Sequence, residues 1–263
     1  MTGAAFVLGR PPTPGSVLHA VVAGLRAAGV PATVDVVAGP PLPDRVLRAD
    51  LRVLKDLEPP ALRALVDAST GACVPAPHAV LRSLDKAVVT GRLAAAGVPV
   101  PATRVVDRWD AVRAAADCGP VVVKPRTGSQ GEGVLLLAGP APQAPAGRGP
   151  WLVQDRVAGD GVDRKLYVAG DVVRGVLRTW PPPPADRPGE PFDPDPDLAA
   201  LARRAAEAVE LPIAGVDALV SAEGPVVVDV NAFPGFKGVP GAAQVLTSRL
   251  LRMLDAREVA TCA

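Results

Sequence analysis

Along the first third of the chain, short apolar runs alternate with stretches in which apolar positions recur every three to four residues. The runs at 4–9 (AAFVLG), 30–37 (VPATVDVV), 48–55 (RADLRVLK) and 71–77 (GACVPAP) have strand character. The stretches at 16–29 (SVLHAVVAGLRAAG) and 59–70 (PPALRALVDAST) have helical period. Strands alternating with helices predict a parallel α/β layer, ending near residue 80.

Beyond it the pattern changes. Helices are expected over 83–97, closed by Gly97, and over 107–119, with an extended segment between them. A valine-rich strand and a glycine loop fill 119–137, a Pro/Gly/Ala-rich loop 139–150, and a strand 151–157 (WLVQDRV). Residues 162–180 read as two strands about an Ala-Gly-Asp turn. The proline-rich stretch 181–197 (PPPPADRPGEPFDPDPD) should be extended and exposed, with neither ladder nor helix. A helix over 198–212, two antiparallel strands with a Gly/Pro loop over 214–239, and an amphipathic helix over 242–256 complete the chain, without internal repeats.

Composition narrows the function classes. With 263 residues, 49% of them hydrophobic, the chain can bury a sizeable core. Its net charge of +1 and 3% aromatic content argue against a nucleic-acid partner. No apolar run approaches the ~20 residues that span a bilayer, and no signal peptide is evident. A cytoplasmic protein that does not bind membrane, with reduced Cys73, Cys118 and Cys262, is expected. Two histidines leave little material for a histidine triad or zinc site.

Two stretches carry chemistry. In 119–137 (GPVVVKPRTGSQGEGVLLL), Lys124 precedes the glycines and the chain returns as a strand. That order differs from GxxxxGK[ST], which runs into a helix. The small residues Gly128, Ser129, Gly131 and Gly133 let backbone N–H groups approach an anion, beside a fixed charge at Lys124. An ordinary hairpin with a lysine at its base is the structural alternative. In 225–235 (PVVVDVNAFPG), Asp229 and Asn231 are two apart on a strand and share a face. With Asp217 on the preceding strand they make a hard oxygen set suited to magnesium between protein and nucleotide phosphates.

Four segments in order, 83–103, 120–137, 151–171 and 211–239, resemble the ATP-grasp superfamily over nearly the whole chain, and RimK-type carboxylate–amine ligases most closely. The resemblance implies an ATP-grasp fold in which an N-terminal parallel α/β domain (1–80) precedes two α+β subdomains (81–157 and 158–263) that clamp ATP. Lys86 and Lys124 would contact the α- and β-phosphates under a lid of Gly128, Ser129, Gln130, Gly131 and Gly133. Gln154, Asp155, Arg156 and Val157 would form the hinge strand whose backbone reads adenine, and Asp163 would sit near the ribose. Asp217, Asp229 and Asn231 would hold two Mg²⁺ ions, with Mn²⁺ as a substitute. Arg178 would face the γ-phosphate as a catalytic residue. Asp229 stands where such ligases usually have Glu. Their Arg-Ser-Asn segment is missing, leaving Arg178 or Arg187 to substitute.

Inositol trisphosphate kinases of the same superfamily are also similar, through 229–239 (DVNAFPGFKGV), through Lys165, which stands where they carry a substrate-facing lysine, and through 49–59 (ADLRVLKDLEP), which makes Lys55 a substrate contact. Backbone donors at Gly235 would touch the acceptor, unless the loop is simply a tight turn. The loop GSQGEGV matches the ligases, and the histidine of the kinases is absent. The preferred expectation is an ATP- and Mg-dependent ligase that acts on a small molecule or peptide through an acyl-phosphate, with a polyol kinase as the alternative. A homo-oligomer is compatible with the sequence. Arg45, Arg48 and Arg52 either line the acceptor side or lie at the solvated surface, and the surface is the preferred expectation.

Overall fold

The computed structural model describes residues 3–68, 71–128, 133–139, 143, 149–179 and 189–255. The first unit holds β1 (Ala4–Leu8), α1 (Val17–Ala27), β2 (Ala32–Val36), α2 (Asp44–Leu47), β3 (Leu51–Lys55), α3 (Pro59–Asp67) and β4 (Ala72–Val74). Its strands form a parallel sheet in the order β2-β1-β3-β4. Every residue of the central strand β1 is buried, as expected of a parallel strand covered on both faces. Ser16 caps α1 by accepting from the Leu18 N–H at 3.3 Å.

The surface expectation holds for Arg48, which pairs with Asp44 in solvent, and for the exposed Arg45, which reaches the buried Asp35. It fails for Arg52, which is fully buried. The short helix α2, unforeseen in a proline-rich connection, ends in carbonyls that need donors, and the Arg52 guanidinium supplies them. Its Nε donates to Val46 O at 2.7 Å and its Nη2 to Leu47 O at 2.6 Å.

The middle unit holds α4 (Pro77–Ser83), α5 (Lys86–Ala95), β5 (Thr103–Val106), α6 (Trp109–Cys118), β6 (Val121–Pro125), β7 (Leu135–Leu137) and β8 (Trp151–Asp155). The sheet is antiparallel, in the order β5-β8-β6-β7. α6 covers one face, packing Trp109, Val112 and Ala116 on Val121, Val123 and Val153. α4 was not foreseen either. Pro77 starts it, at the first-turn position where a missing N–H costs nothing.

The last unit holds β9 (Val162–Ala169), β10 (Val172–Thr179), β11 (Glu190–Phe192), α7 (Pro196–Ala208), β12 (Ile213–Ser221), β13 (Gly224–Ala232) and α8 (Ala242–Asp255). Its antiparallel sheet runs β11-β10-β9-β12-β13. One face buries Leu166, Val168, Val216 and Val230 against α7 and α5. The far end of the other face joins α8, α1 and the first sheet in a shared core that includes Phe6, Leu25, Tyr167, Phe236 and Leu246. Between the units, Arg82, Arg92 and His78 converge on Glu210, a non-glycine residue at φ 60°.

The proline-rich stretch departs from expectation at its described end. Residues 190–192 pair with β10 as an edge strand, a position where proline is tolerated. Pro196 opens α7 behind the Asp195 cap, which accepts from Leu198 N–H at 2.8 Å. Arg187 lies outside the described residues. Cys118 is free and exposed, and Cys262 lies outside the described residues. Among the described residues no helix is long and apolar enough to cross a membrane.

Arg52→Met should lower unfolding stability by about 2–3 kcal/mol, because the Val46 and Leu47 carbonyls lose buried donors. Urea denaturation should show the lower midpoint while nucleotide affinity stays at the wild-type value.

Candidate active site

In an antiparallel sheet, directly opposed residues present their side chains on one face. Arg178 lies opposite Asp163, Lys165 opposite Asp217, and Asp217 opposite Asp229. Gly215 lies between Tyr167 and Asn231. One face of four adjacent strands therefore carries Arg178, Asp163, Lys165, Tyr167, Asp217, Asp229 and Asn231. The register shifts at Asp217/Ala218, since Ala218 pairs with Val227, so Val228 is an extra residue in a β-bulge.

The middle unit closes onto this face. Lys124, at the end of β6 and nearly buried, donates from Nζ to the Val228 carbonyl at 3.1 Å. Lys86, in the first turn of α5, lies 3.4 Å from Asp229 Oδ2. The two lysines are fixed relative to each other. Asp85 caps α5 through the Ala87 N–H at 3.0 Å, Arg126 pairs with Asp85 at 2.7 Å, and Lys86 N–H donates to Arg126 O at 2.9 Å. The sequence reading missed Arg126, whose role becomes visible only when β6 and α5 meet.

Charges balance closely here. Lys165 Nζ lies 2.6 Å from Asp217 Oδ1, and Asn231 Nδ2 donates to Asp217 Oδ2 at 3.3 Å. Burial opposes the Lys165 charge, but Asp217 outweighs it and the ammonium pKa is raised. Burial lowers the Lys124 pKa, against the attraction of Asp229. Burial, with Asp217 adding to it, pushes the Asp163 carboxyl up to about 6, against the pull of Lys165 and Arg178. Asp163 Oδ1 and Arg178 Nε are buried without a hydrogen-bond partner.

On the middle sheet, Lys124 shares its face with Val122, and Leu136, Gln154 and Thr103 follow across the strands. Leu136 is exposed and Val122 half-buried, giving an apolar surface beside the ammonium. Both were missed, although alternation from Lys124 back to Val122 was a signal that could have found the first. Gln154 is buried and donates to Thr103 Oγ1 at 3.2 Å. The N–H groups of Asp155 and Arg156 donate to Ala102 O at 2.9 Å and Pro120 O at 3.0 Å, making Val157 the first residue past this pairing. The Asp155 carboxylate pairs with Arg104 at 3.1 Å. Gly128 (φ 136°) and Gly133 (φ 70°) flank the glycine loop. Ser129, Gln130 and Gly131 lie outside the described residues.

Lys55 reaches the site from the first sheet. Its Nζ donates to the Phe233 carbonyl at 3.1 Å and lies 3.3 Å from Asp56. Gly235 sits in the loop after β13, between Phe233 (φ 36°) and Phe236 (φ 51°), both in the left-handed region that bulky side chains rarely adopt.

A family model, RimK-like ATP-grasp domain, matches residues 187–252. A probable alpha-L-glutamate ligase of Stenotrophomonas maltophilia (strain K279a) is 34% identical over 209 residues, which cover 70% of this chain and 70% of that protein. The chain belongs to the RimK-type ATP-grasp ligases. A second probable alpha-L-glutamate ligase, from Thioalkalivibrio sulfidiphilus (strain HL-EbGR7), is 34% identical over 67% of this chain and 65% of its own length. The fold is shared with a RimK domain ATP-grasp protein from Sphaerobacter thermophilus DSM 20745 (TM-score 0.74, 22% identity, 94% of this chain and 99% of that one). It is shared also with the D-cycloserine synthetase DcsG (TM-score 0.72, 19% identity, 96% and 100%) and with the ATP-grasp ligase PsnB complexed with minimal precursor (TM-score 0.69, 21% identity, 98% and 100%).

ATP-grasp ligases use ATP and magnesium. The residues fit such an ion: Asp217 and Asp229 oppose each other, and Asn231 keeps its amide oxygen as a third hard donor. Among the described residues no three His, Cys, Asp or Glu side chains form a metal cluster by themselves. Magnesium is commonly held by one or two carboxylates together with substrate phosphates.

Magnesium with a non-hydrolysable ATP analogue should raise the thermal midpoint of the wild-type protein. Asp217→Asn and Asp229→Asn should each remove the magnesium-dependent part of that rise, measured by differential scanning fluorimetry with and without the ion.

Proposed function

We propose that the chain is an ATP- and magnesium-dependent carboxylate–amine ligase that acts through an acyl-phosphate on a small-molecule or peptide substrate. The observation that carries this reading is the meeting of two ammonium groups on the middle unit, Lys86 and Lys124, with the Asp229 segment of the facing sheet. Cations for a polyphosphate and carboxylates for its metal stand within one hydrogen bond of each other. The three units expected from the sequence, 1–80, 81–157 and 158–263, take the roles of substrate-side domain, lid-bearing half and metal-bearing half.

In this reading Lys86 and Lys124 bind the α- and β-phosphates. The adenine lies on Val122 and Leu136 and is read by the backbone near Val157. A ribose hydroxyl donates to the unpartnered Oδ1 of Asp163. Asp217, Asp229 and Asn231 hold magnesium, which when bound withdraws charge from the phosphoryl oxygens. Arg178 and Lys165 face the reacting end. A substrate carboxylate oxygen attacks the γ-phosphorus, and the bond to ADP breaks. The amine nitrogen then attacks the acyl carbon, phosphate leaves and the amine loses a proton. The protein contributes orientation and charge, and no covalent nucleophile is needed. Lys55 holds the 233–237 loop, and Gly235 offers its backbone to the acceptor.

The relatives' names and the PsnB complexes with precursor peptide make glutamate and peptides the first substrates to try. Phosphate release should require ATP, magnesium, a carboxylate and an amine together. A phosphorylated polyol in place of phosphate release would replace this reading with a kinase. Lys124→Met should cut kcat/KM by at least ~100-fold, the scale of losing one preorganised charge at a reacting phosphate, read from initial rates at subsaturating ATP.

A further inference from the structure

Tyr167 occupies the reacting face two residues beyond Lys165, and no assigned role explains its hydroxyl. The residue is buried, and its hydroxyl oxygen lies 3.4 Å from Arg178 Nη2 and 3.4 Å from the Lys237 carbonyl. The hydrogen directions follow from chemistry. A guanidinium only donates and a carbonyl only accepts, so the hydroxyl accepts from Arg178 and donates to Lys237 O. The ring stacks on Phe236, with centroids 4.9 Å apart. Phe233 and Phe236 hold positive φ, a strained conformation that persists only where neighbours impose it. Tyr167 is one such neighbour. Gly215, directly opposite it, makes room for the same loop, because a Cβ there would stand 3.1 Å from Pro234 Cβ.

We propose that Tyr167 is the positioning residue for Arg178: its hydroxyl ties the guanidinium to the carbonyl of the 233–237 loop and fixes both at the reacting end. The inference rests on the reading that Arg178 acts on the substrate groups in transfer. A phenylalanine keeps the ring and its stacking yet cannot bridge the two partners.

Tyr167→Phe should leave the thermal midpoint and the calorimetric affinity for ATP unchanged while lowering kcat about tenfold. In an Arg178→Lys background the same change should lower kcat by less than twofold, because the group to be oriented is already altered. A wild-type kcat for Tyr167→Phe, or an equal tenfold loss in both backgrounds, overturns the proposal. A wild-type kcat for Arg178→Lys together with Arg178→Ala overturns the role of Arg178 itself, and the positioning role falls with it. Absence of any carboxylate- and amine-dependent turnover in the wild type, with Tyr167→Phe still altering ATP hydrolysis, rejects the ligase reading alone. Tyr167→Phe without effect on that hydrolysis rejects the positioning role too.

Discussion

A buried ammonium has to find oxygen, and at Lys124 that requirement joins two halves of the molecule. Three valines carry the lysine out of a packed strand into a space with little water. Burial disfavours its charge, and the compensation comes from across the cleft, from the Val228 carbonyl and the Asp229 charge. Lys86 also reaches across, with its Nζ 3.4 Å from Asp229 Oδ2. The middle and last sheets are thus held in register by charges that a ligand would also engage, so the contacts that hold the cleft together are the ones available for recognition.

The first unit enters the same network by a different route. Its parallel sheet delivers Lys55 at the end of β3 to the Phe233 carbonyl, while Tyr167 holds the other side of that loop. Backbone strain at Phe233 and Phe236 is therefore supported from two sheets. The shared core of α1, α8 and the end of the last sheet supplies the stiffness behind it. Packing of branched apolar residues in one place and a strained loop in another are parts of one arrangement.

Much of this was legible from periodicity. Strands such as AAFVL and VVVDVN, and helices such as LAALARRAAEA, have patterns that one local rule decides. Asp229 and Asn231 could be placed on one face because two-residue spacing settles it, whereas Asp217 joins them only through the bulged pairing of β12 with β13. What escaped depended on contacts that no local period encodes. Arg52 looks like any surface arginine until α2 folds back and leaves carbonyls to be satisfied. α4 and β11 were hidden by prolines, whose prohibition lapses in the first turn of a helix and on a sheet edge. Leu136 and Arg126 gain meaning only from strands and helices that pair across a loop. The hydroxyl of Tyr167 gains partners only when β9 packs beside β10 and the 233–237 loop.

The bulge at Val228 carries a lesson about what a position encodes. Ala218 pairs with Val227 and Asp217 with Asp229, so excising Val228 would leave both faces of the strand in phase. Its side chain is only half-buried, and its carbonyl is the atom that meets Lys124. Codon 228 is thus read by the fold as a spacer rather than as a letter: many residue types would serve, but shortening the message by one would silence it.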